Sequence, residues 1–150
     1  MAASSRPGPE RLDHGRYPFS VTVPTRFQDL DPLGHINNVA MAALFETGRV
    51  LFNRTQMAER RNRPAGHRWL VARVEINYLR ETYFPDPVEV ATGIGPVGNS
   101  SWTIWSAAFQ RGECIGLCDA TVVYIGEAGP QPLTDTMREE LAAWAVRTGD

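Results

Sequence analysis

The sequence predicts an α+β domain in which one long buried helix lies across an antiparallel sheet of about five strands. A helical stretch from about Ile36 to about Glu59 begins with an apolar run, and nearly everything after it has the alternating pattern of strands. The connections between these strands are too short for helical crossovers, so antiparallel pairing is expected. With 150 residues, 43% of them apolar, the chain fits one compact domain.

The chain begins with a segment for which no regular structure is predicted. Residues 1–17 are polar, rich in Pro and Gly and without hydrophobic periodicity, which is typical of a flexible arm. The single domain is predicted to cover residues 18–150. Its first strand begins at Phe19, from which apolar and polar residues alternate as far as Val23.

A turn is predicted between this first strand and the long helix. Pro32 restricts Asp31 to an extended conformation and Gly34 permits a sharp bend, so the chain can pass directly into the helix. The run 39–45, VAMAALF, is apolar on every side. Such a run predicts a helix that is buried all round.

Four further strands and a short helix are predicted after the long helix. The first of these strands runs from Leu70 to Tyr78, where apolar and polar residues alternate. The other three strands are expected over about 87–95, 101–110 and 114–125. A tight hairpin is predicted at 111–113. Thr136 and Glu139 have the spacing of a capping box, which predicts a short C-terminal helix.

Composition and charge argue against several kinds of partner. A net charge of -2 leaves no broad basic face, so nucleic acid is not expected. No apolar run reaches the roughly 20 residues of a membrane helix, and the first residues lack the apolar region of a signal peptide, which predicts a cytoplasmic protein that does not enter a membrane. Cys114 and Cys118 are expected to be buried small side chains rather than a disulfide or a metal site.

One segment resembles the signature of the 4-hydroxybenzoyl-coenzyme A thioesterase-like family. Residues 26–49, RFQDLDPLGHINNVAMAALFETGR, contain two aspartates separated by one residue, then Gly-His, an Asn-Asn pair, and a Glu with an Arg three residues beyond it. Residues 71–90 resemble the family's second and third strands, and 98–101 resemble its Gly-x-Ser-Ser turn. The resemblance covers about Phe19 to Leu141. It implies the hotdog fold, in which the sheet wraps around the helix, and an acyl-coenzyme A thioesterase.

Thioester hydrolysis requires attack on the carbonyl carbon and stabilisation of the oxyanion that develops. The start of a buried helix offers unpaired N–H groups and the positive end of the helix dipole. The resemblance implies that the backbone N–H of Asn38 is the oxyanion donor and that Asp31 is the nucleophile or the general base. Asn37 and Gly34 are expected to line the substrate site. No metal and no cofactor are required, since coenzyme A is part of the substrate.

Each candidate catalytic residue also has a purely structural interpretation. An Asp ahead of a helix most often caps it, so Asp31 could be the N-cap. His35 is a candidate for polarising the thioester or orienting Asp31, or it could hydrogen-bond a backbone carbonyl in the turn. Glu46 interrupts an apolar stretch, which makes it a secondary catalytic candidate. Its alternative is an ion pair with Arg49 three residues later on the same helix.

The predicted substrate is an acyl thioester of coenzyme A or of acyl carrier protein. Ser100 and Ser101 are candidates for lining the pantetheine path, and Arg73 for meeting a phosphate, although arginines on a polar strand face are usually just solvated. A homodimer or homotetramer is expected because exposed sheet edges pair readily. The alternative functions are a dehydratase of the same fold and a non-catalytic acyl-thioester binding protein.

Overall fold

The structure, a computed structural model, describes residues 7–149. In chain order its elements are β1 (Phe19–Val23), α1 (Asn38–Gln56), α2 (Ala58–Asn62), β2 (Arg68–Tyr78), β3 (Val88–Val97), β4 (Ser101–Gln110), β5 (Glu113–Gly126), β6 (Gly129–Pro130) and α3 (Asp135–Ala143). Antiparallel strands form one sheet in the order β1-β3-β4-β5-β2, and the short β6 pairs with the end of β5. The predicted α+β class is confirmed, since one long helix packs against this curled sheet and a short helix lies near the end of the chain.

The predicted hairpin between β4 and β5 is also confirmed. Arg111 and Gly112 connect the two strands with φ values of 54° and 78°. Two consecutive residues in the left-handed region give the turn a twist that matches the twist of the paired strands. A non-glycine residue such as Arg111 rarely adopts this conformation, which is why the sequence marks the turn through Gly112 alone.

The side of the sheet that contacts α1 is called the helix face, and the opposite side the outer face. Met41, Phe45 and Phe52 of α1 are buried against the helix face, whereas Val39 is 81% exposed and Ala43 is also open to solvent. The prediction of a helix buried all round is therefore wrong for the single chain. A helix that rests on one sheet can bury only one side, and a run of small apolar residues does not show which side that is.

The long predicted helix is divided into α1 and α2. Met57 separates them with an extended ψ of 92°, and the Arg61 guanidinium donates 2.7 Å to the carbonyl of Arg54 at the end of α1. The carboxylate of Glu140 on α3 accepts from the first N–H groups of α2, those of Ala58 and Glu59. These contacts give partners to three of the backbone groups that the break leaves without helical hydrogen bonds.

The segment predicted to be a flexible arm packs against the outer face in its described part. Arg11 is buried, its guanidinium lies 2.7 Å from Asp119 of β5 and 4.4 Å from the ring centroid of Trp105 of β4. Tyr17 is buried beside it, and burial raises the pKa of the Tyr17 phenol.

The N–H of Arg147 donates 3.0 Å to the carbonyl of Arg16, so the two ends of the domain meet on this face. The prediction of a flexible arm rested on polar composition, but the polar groups of Arg11, Tyr17 and Asp119 pair with one another and are held on the sheet. Residues 1–6 of the predicted arm lie outside the described residues.

The C-terminal helix exists, but its cap differs from the predicted one. The Thr134 hydroxyl, not Thr136, accepts a 3.1 Å hydrogen bond from the N–H of Met137. Met137 and Leu141 then pack against the part of the core that contains Trp102. Among residues 7–149, no helix is both long and apolar enough to cross a membrane.

Candidate active site

The turn ahead of α1 fixes the carboxylate of Asp31. Its Oδ1 accepts hydrogen bonds from the N–H groups of Leu33 (2.9 Å) and His35 (3.1 Å), and its own N–H donates 2.8 Å to the carbonyl of His35. Gly34, with a φ of 82°, supplies the left-handed residue that this turn needs. In the described part of the chain, Oδ2 receives no hydrogen bond. One oxygen therefore orients Asp31 while the other is available for chemistry.

The residue that caps α1 is Asn37 rather than Asp31. The Asn37 Oδ1 accepts 2.8 Å from the N–H of Ala40, and its Nδ2 donates 2.8 Å to the carbonyl of Asp29. The capping interpretation of Asp31 is thereby excluded. The N–H groups of Asn38 and Val39, in the first turn of α1, have no acceptor within residues 7–149. The Asn38 N–H is the donor predicted for an oxyanion.

Two open grooves meet at Asp31 and Asn38. The first, which we call the turn groove, has a volume of about 450 Å³ and is lined by Arg26, Asp29, Asp31, Asn37, Asn38, Val39, Ala40 and Ala43. The second, which we call the loop groove, has a volume of about 410 Å³ and is also lined by His35, Tyr78 and Glu81. Asp31 and the first residue of α1, Asn38, thus line both grooves.

Asp29, the other aspartate of the motif, has a structural role. It is buried, and the Arg26 guanidinium donates to both of its oxygens at 2.8 and 3.2 Å. The hydrogen bond from Arg26 holds the pKa of the Asp29 carboxyl below its usual range. Its carbonyl accepts from both nitrogens of Asn37, so Asp29 ties the turn to the start of α1.

His35 lies in the loop groove beside Asp31. Its Nε2 is 3.2 Å from Oε2 of Glu81, and its ring packs edge-on against Tyr83 with 5.5 Å between the centroids. The N–H of the next residue, Ile36, donates 2.9 Å to the carbonyl of Thr82. The site turn is thus bound to the loop 79–87 that follows β2.

Gln110 at the end of β4 holds this loop in place. It is 4% exposed; Oε1 accepts 2.9 Å from the N–H of Tyr83, and Nε2 donates to the carbonyls of Tyr83 (2.8 Å) and Asp86 (3.0 Å). The Thr25 hydroxyl also donates 3.0 Å to the Asp86 carbonyl. Sequence reasoning missed Gln110 and Glu81, because neither belongs to a motif and the contacts join parts of the chain that are far apart in sequence.

Glu46 and Arg49 do not form the ion pair that was the alternative to catalysis. Glu46 is exposed, and no Arg or Lys nitrogen of the described residues comes within 4 Å of its carboxylate. Arg49 is buried next to Cys118, and burial raises the pKa of that thiol to about 11. Glu46 lines neither of the two grooves in the single chain.

The structure does not bring Ser100, Ser101 or Arg73 to Asp31 within one chain. Ser100 lies in the turn between β3 and β4 and Ser101 begins β4. The neighbouring Trp102 belongs to the same core cluster as Phe52 in the later half of α1. Arg73 is exposed and pairs with Glu75 at 2.6 Å. Both cysteines are free, and residues 7–149 contain no cluster of three side chains suited to a metal.

Comparison with known proteins supports the family resemblance that the motif in residues 26–49 indicates. The model of the thioesterase-like superfamily matches residues 25–145. A thioesterase from Thermus thermophilus, solved in complex with coenzyme A and Zn, is 29% identical, with a TM-score of 0.75 over 88% of this chain and 97% of that one. A predicted thioesterase from Bacillus stearothermophilus is 27% identical, with a TM-score of 0.74 over 87% and 98% of the two chains. The DHNA-CoA thioesterase of Staphylococcus aureus, 18% identical with a TM-score of 0.68 over 83% and 88%, shares the fold. No curated protein matches the chain.

Proposed function

The chain belongs to the thioesterase-like superfamily and is a thioester hydrolase, and we propose that it converts an acyl thioester of coenzyme A or acyl carrier protein to the free acid and the thiol at Asp31. The observation that carries this proposal is the junction of the two grooves. There Asp31, whose Oδ2 accepts no hydrogen bond from residues 7–149, lines the same two grooves as Asn38, which begins a 19-residue helix and whose N–H has no acceptor among those residues. Coenzyme A is bound to the Thermus thermophilus relative, which supports it as the carrier.

The proposed chemistry needs no group beyond water and these residues. As a general base, Asp31 takes a proton from the water that attacks the thioester carbon. As a nucleophile, it attacks that carbon itself to form a mixed anhydride, which water then hydrolyses. In both routes the C–S bond breaks and the thiolate leaves and takes up a proton. The Asn38 N–H and the positive end of α1 stabilise the oxyanion.

The proposed assembly is a homodimer or a homotetramer that uses the free edge of β2. This edge strand is 11 residues long, and Val71, Val74 and Tyr78 on its helix face are each 46–48% exposed. A long apolar edge of this kind favours pairing with another strand. A second copy is also the proposed route by which Ser100, Ser101 and Arg73 contribute to substrate binding, since they lie away from Asp31 in their own chain.

The test is thiol release from a panel of acyl-coenzyme A esters of increasing chain length, followed with a thiol-reactive dye. Asp31→Asn is expected to lower kcat by about 100-fold or more, because the amide can neither accept a proton nor attack. Asp135→Asn, an exposed Asp at the start of α3, is the matched control and should keep full activity.

The same panel separates the alternatives. Hydration or dehydration of the acyl chain without thiol release would indicate a dehydratase, and binding without either reaction would indicate a binding protein. Near-normal turnover by a folded Asp31→Asn variant would move the chemistry to another carboxylate, and Glu46 is then the first to examine.

A further inference from the structure

A second carboxylate, that of Glu81, lines the loop groove together with Asp31. Its Oε2 lies 3.2 Å from Nε2 of His35 and accepts a 3.2 Å hydrogen bond from the Tyr83 hydroxyl. The Tyr83 ring packs edge-on against the His35 ring. His35 is therefore held at two points: its backbone N–H donates to Asp31, and its ring contacts Glu81 and Tyr83.

The position of Glu81 is fixed by its neighbours although its side chain is 62% exposed. Thr82 is buried and its carbonyl accepts the N–H of Ile36, which follows His35 in the chain. Both backbone groups of Tyr83 are bound by the buried side chain of Gln110. An ordinary surface ion pair contributes little because two mobile side chains must be ordered. Here the backbone on both sides is already ordered.

We infer that Glu81 is a positioning residue for the proposed hydrolysis and that it acts through His35. When the Nε2–H of an imidazole donates to a carboxylate, both the ring orientation and the proton location are set, and Nδ1 is the nitrogen left to meet water or substrate. This inference rests on the proposed function. Without Glu81 the ring is free to rotate, so the chemical step slows while substrate binding is kept.

Kinetics of Glu81→Ala, Glu81→Gln and His35→Ala test this role. Glu81→Ala is expected to lower kcat by about three- to tenfold with KM within about twofold, since a positioned contact worth about 1 kcal/mol is lost from the chemical step. Glu81→Gln is expected to restore most of kcat because its amide oxygen still accepts from Nε2–H. In the His35→Ala background, removal of Glu81 should have no further effect, because the two residues act as one unit.

The matched control is Glu113→Ala. Glu113 is an exposed carboxylate 3.5 Å from Arg80 near the same loop, and it does not touch His35. It should leave kcat unchanged. An unchanged kcat in Glu81→Ala would overturn the inference. An equal loss in the wild-type and His35→Ala backgrounds would do so as well, since Glu81 would then act independently of His35.

Nitrogen NMR of the imidazoles separates a failure of this inference from a failure of the proposed function. The His35 signal, assigned with His35→Ala, should show a proton on Nε2 in the wild-type protein and a mixed population in Glu81→Ala, whether or not any thioester is hydrolysed. An identical His35 spectrum in the two proteins would overturn the positioning role. Absence of thiol release from every ester would instead reject the proposed function.

Discussion

The helix face of the sheet has two parts, one under α1 and one on β2, and they differ in what covers them. Under α1, Val90 of β3 is fully buried and packs against Gly48. A side chain at position 48 would collide with Val90. On β2, Val74 is 46% exposed although it pairs with the buried Ala120 and follows the same alternating pattern. The pattern shows which face of the sheet a side chain occupies. It does not show whether the same chain supplies a cover for that face.

The largest expected difference is in stability. Val90→Ala should lower the free energy of unfolding by about 2–3 kcal/mol, from the lost burial of two methyl groups and the cavity they leave. Val74→Ala, the same change in the open part, should cost less than about 0.5 kcal/mol in the monomer. Urea unfolding at low protein concentration measures both. Equal losses would show that the two parts of the face are covered alike.

A charge placed on the open part should act on assembly rather than on folding. If β2 mediates the proposed oligomer, Val74→Glu should raise the dissociation constant by about 10- to 100-fold, because a carboxylate would be buried without a partner. Sedimentation equilibrium gives this constant, with Val74→Ala as the control for loss of apolar area alone. A wild-type protein that is monomeric at all concentrations would contradict the role of this edge.

A third prediction concerns Cys118, which is buried on β5 next to β2. Because burial raises its pKa from 9.0 to about 11, the native thiol binds its proton more tightly than the unfolded one does. The resulting stability is complete below pH 9 and is lost as the pH rises from 9 towards 11. At pH 8, a difference of two pKa units corresponds to about 100-fold less thiolate than in the unfolded chain.

Thiol labelling checks this expectation. In a Cys114→Ser variant, where Cys118 is the remaining thiol, labelling at pH 8 should be at least about 100-fold slower in the native protein than in denaturant, because Cys118 is buried as well as more fully protonated. Similar rates in both conditions would mean that the part of the helix face under α1 opens readily and is no more closed than the part on β2.

Most of the fold could be predicted because its signals are local. Alternation marks β2, and the pair Arg111 and Gly112 completes a hairpin between two runs of apolar residues. The motif in residues 26–49 likewise identified the turn that orients Asp31, because the hydrogen bonds to that carboxylate from the described residues all come from within four residues. Contacts between residues that are close in sequence can be predicted from a short segment without the rest of the chain.

The parts that could not be predicted depend on contacts between distant segments. Glu81 contacts His35 from a loop that Gln110, on another strand, helps to hold in place. Arg11 looks like a residue of a solvated arm until Asp119 and Trp105 are placed beside it. Polarity alone does not separate a buried, paired group from an exposed one.

The meeting of Arg16 with Arg147 on the outer face has a practical consequence. Both ends of the described chain arrive on the side of the sheet that faces away from α1. Dyes, surface tethers or fused proteins attached near either end would start on the side of the sheet opposite α1, away from the turn groove and the loop groove. Immobilised protein should accordingly remain open to substrate.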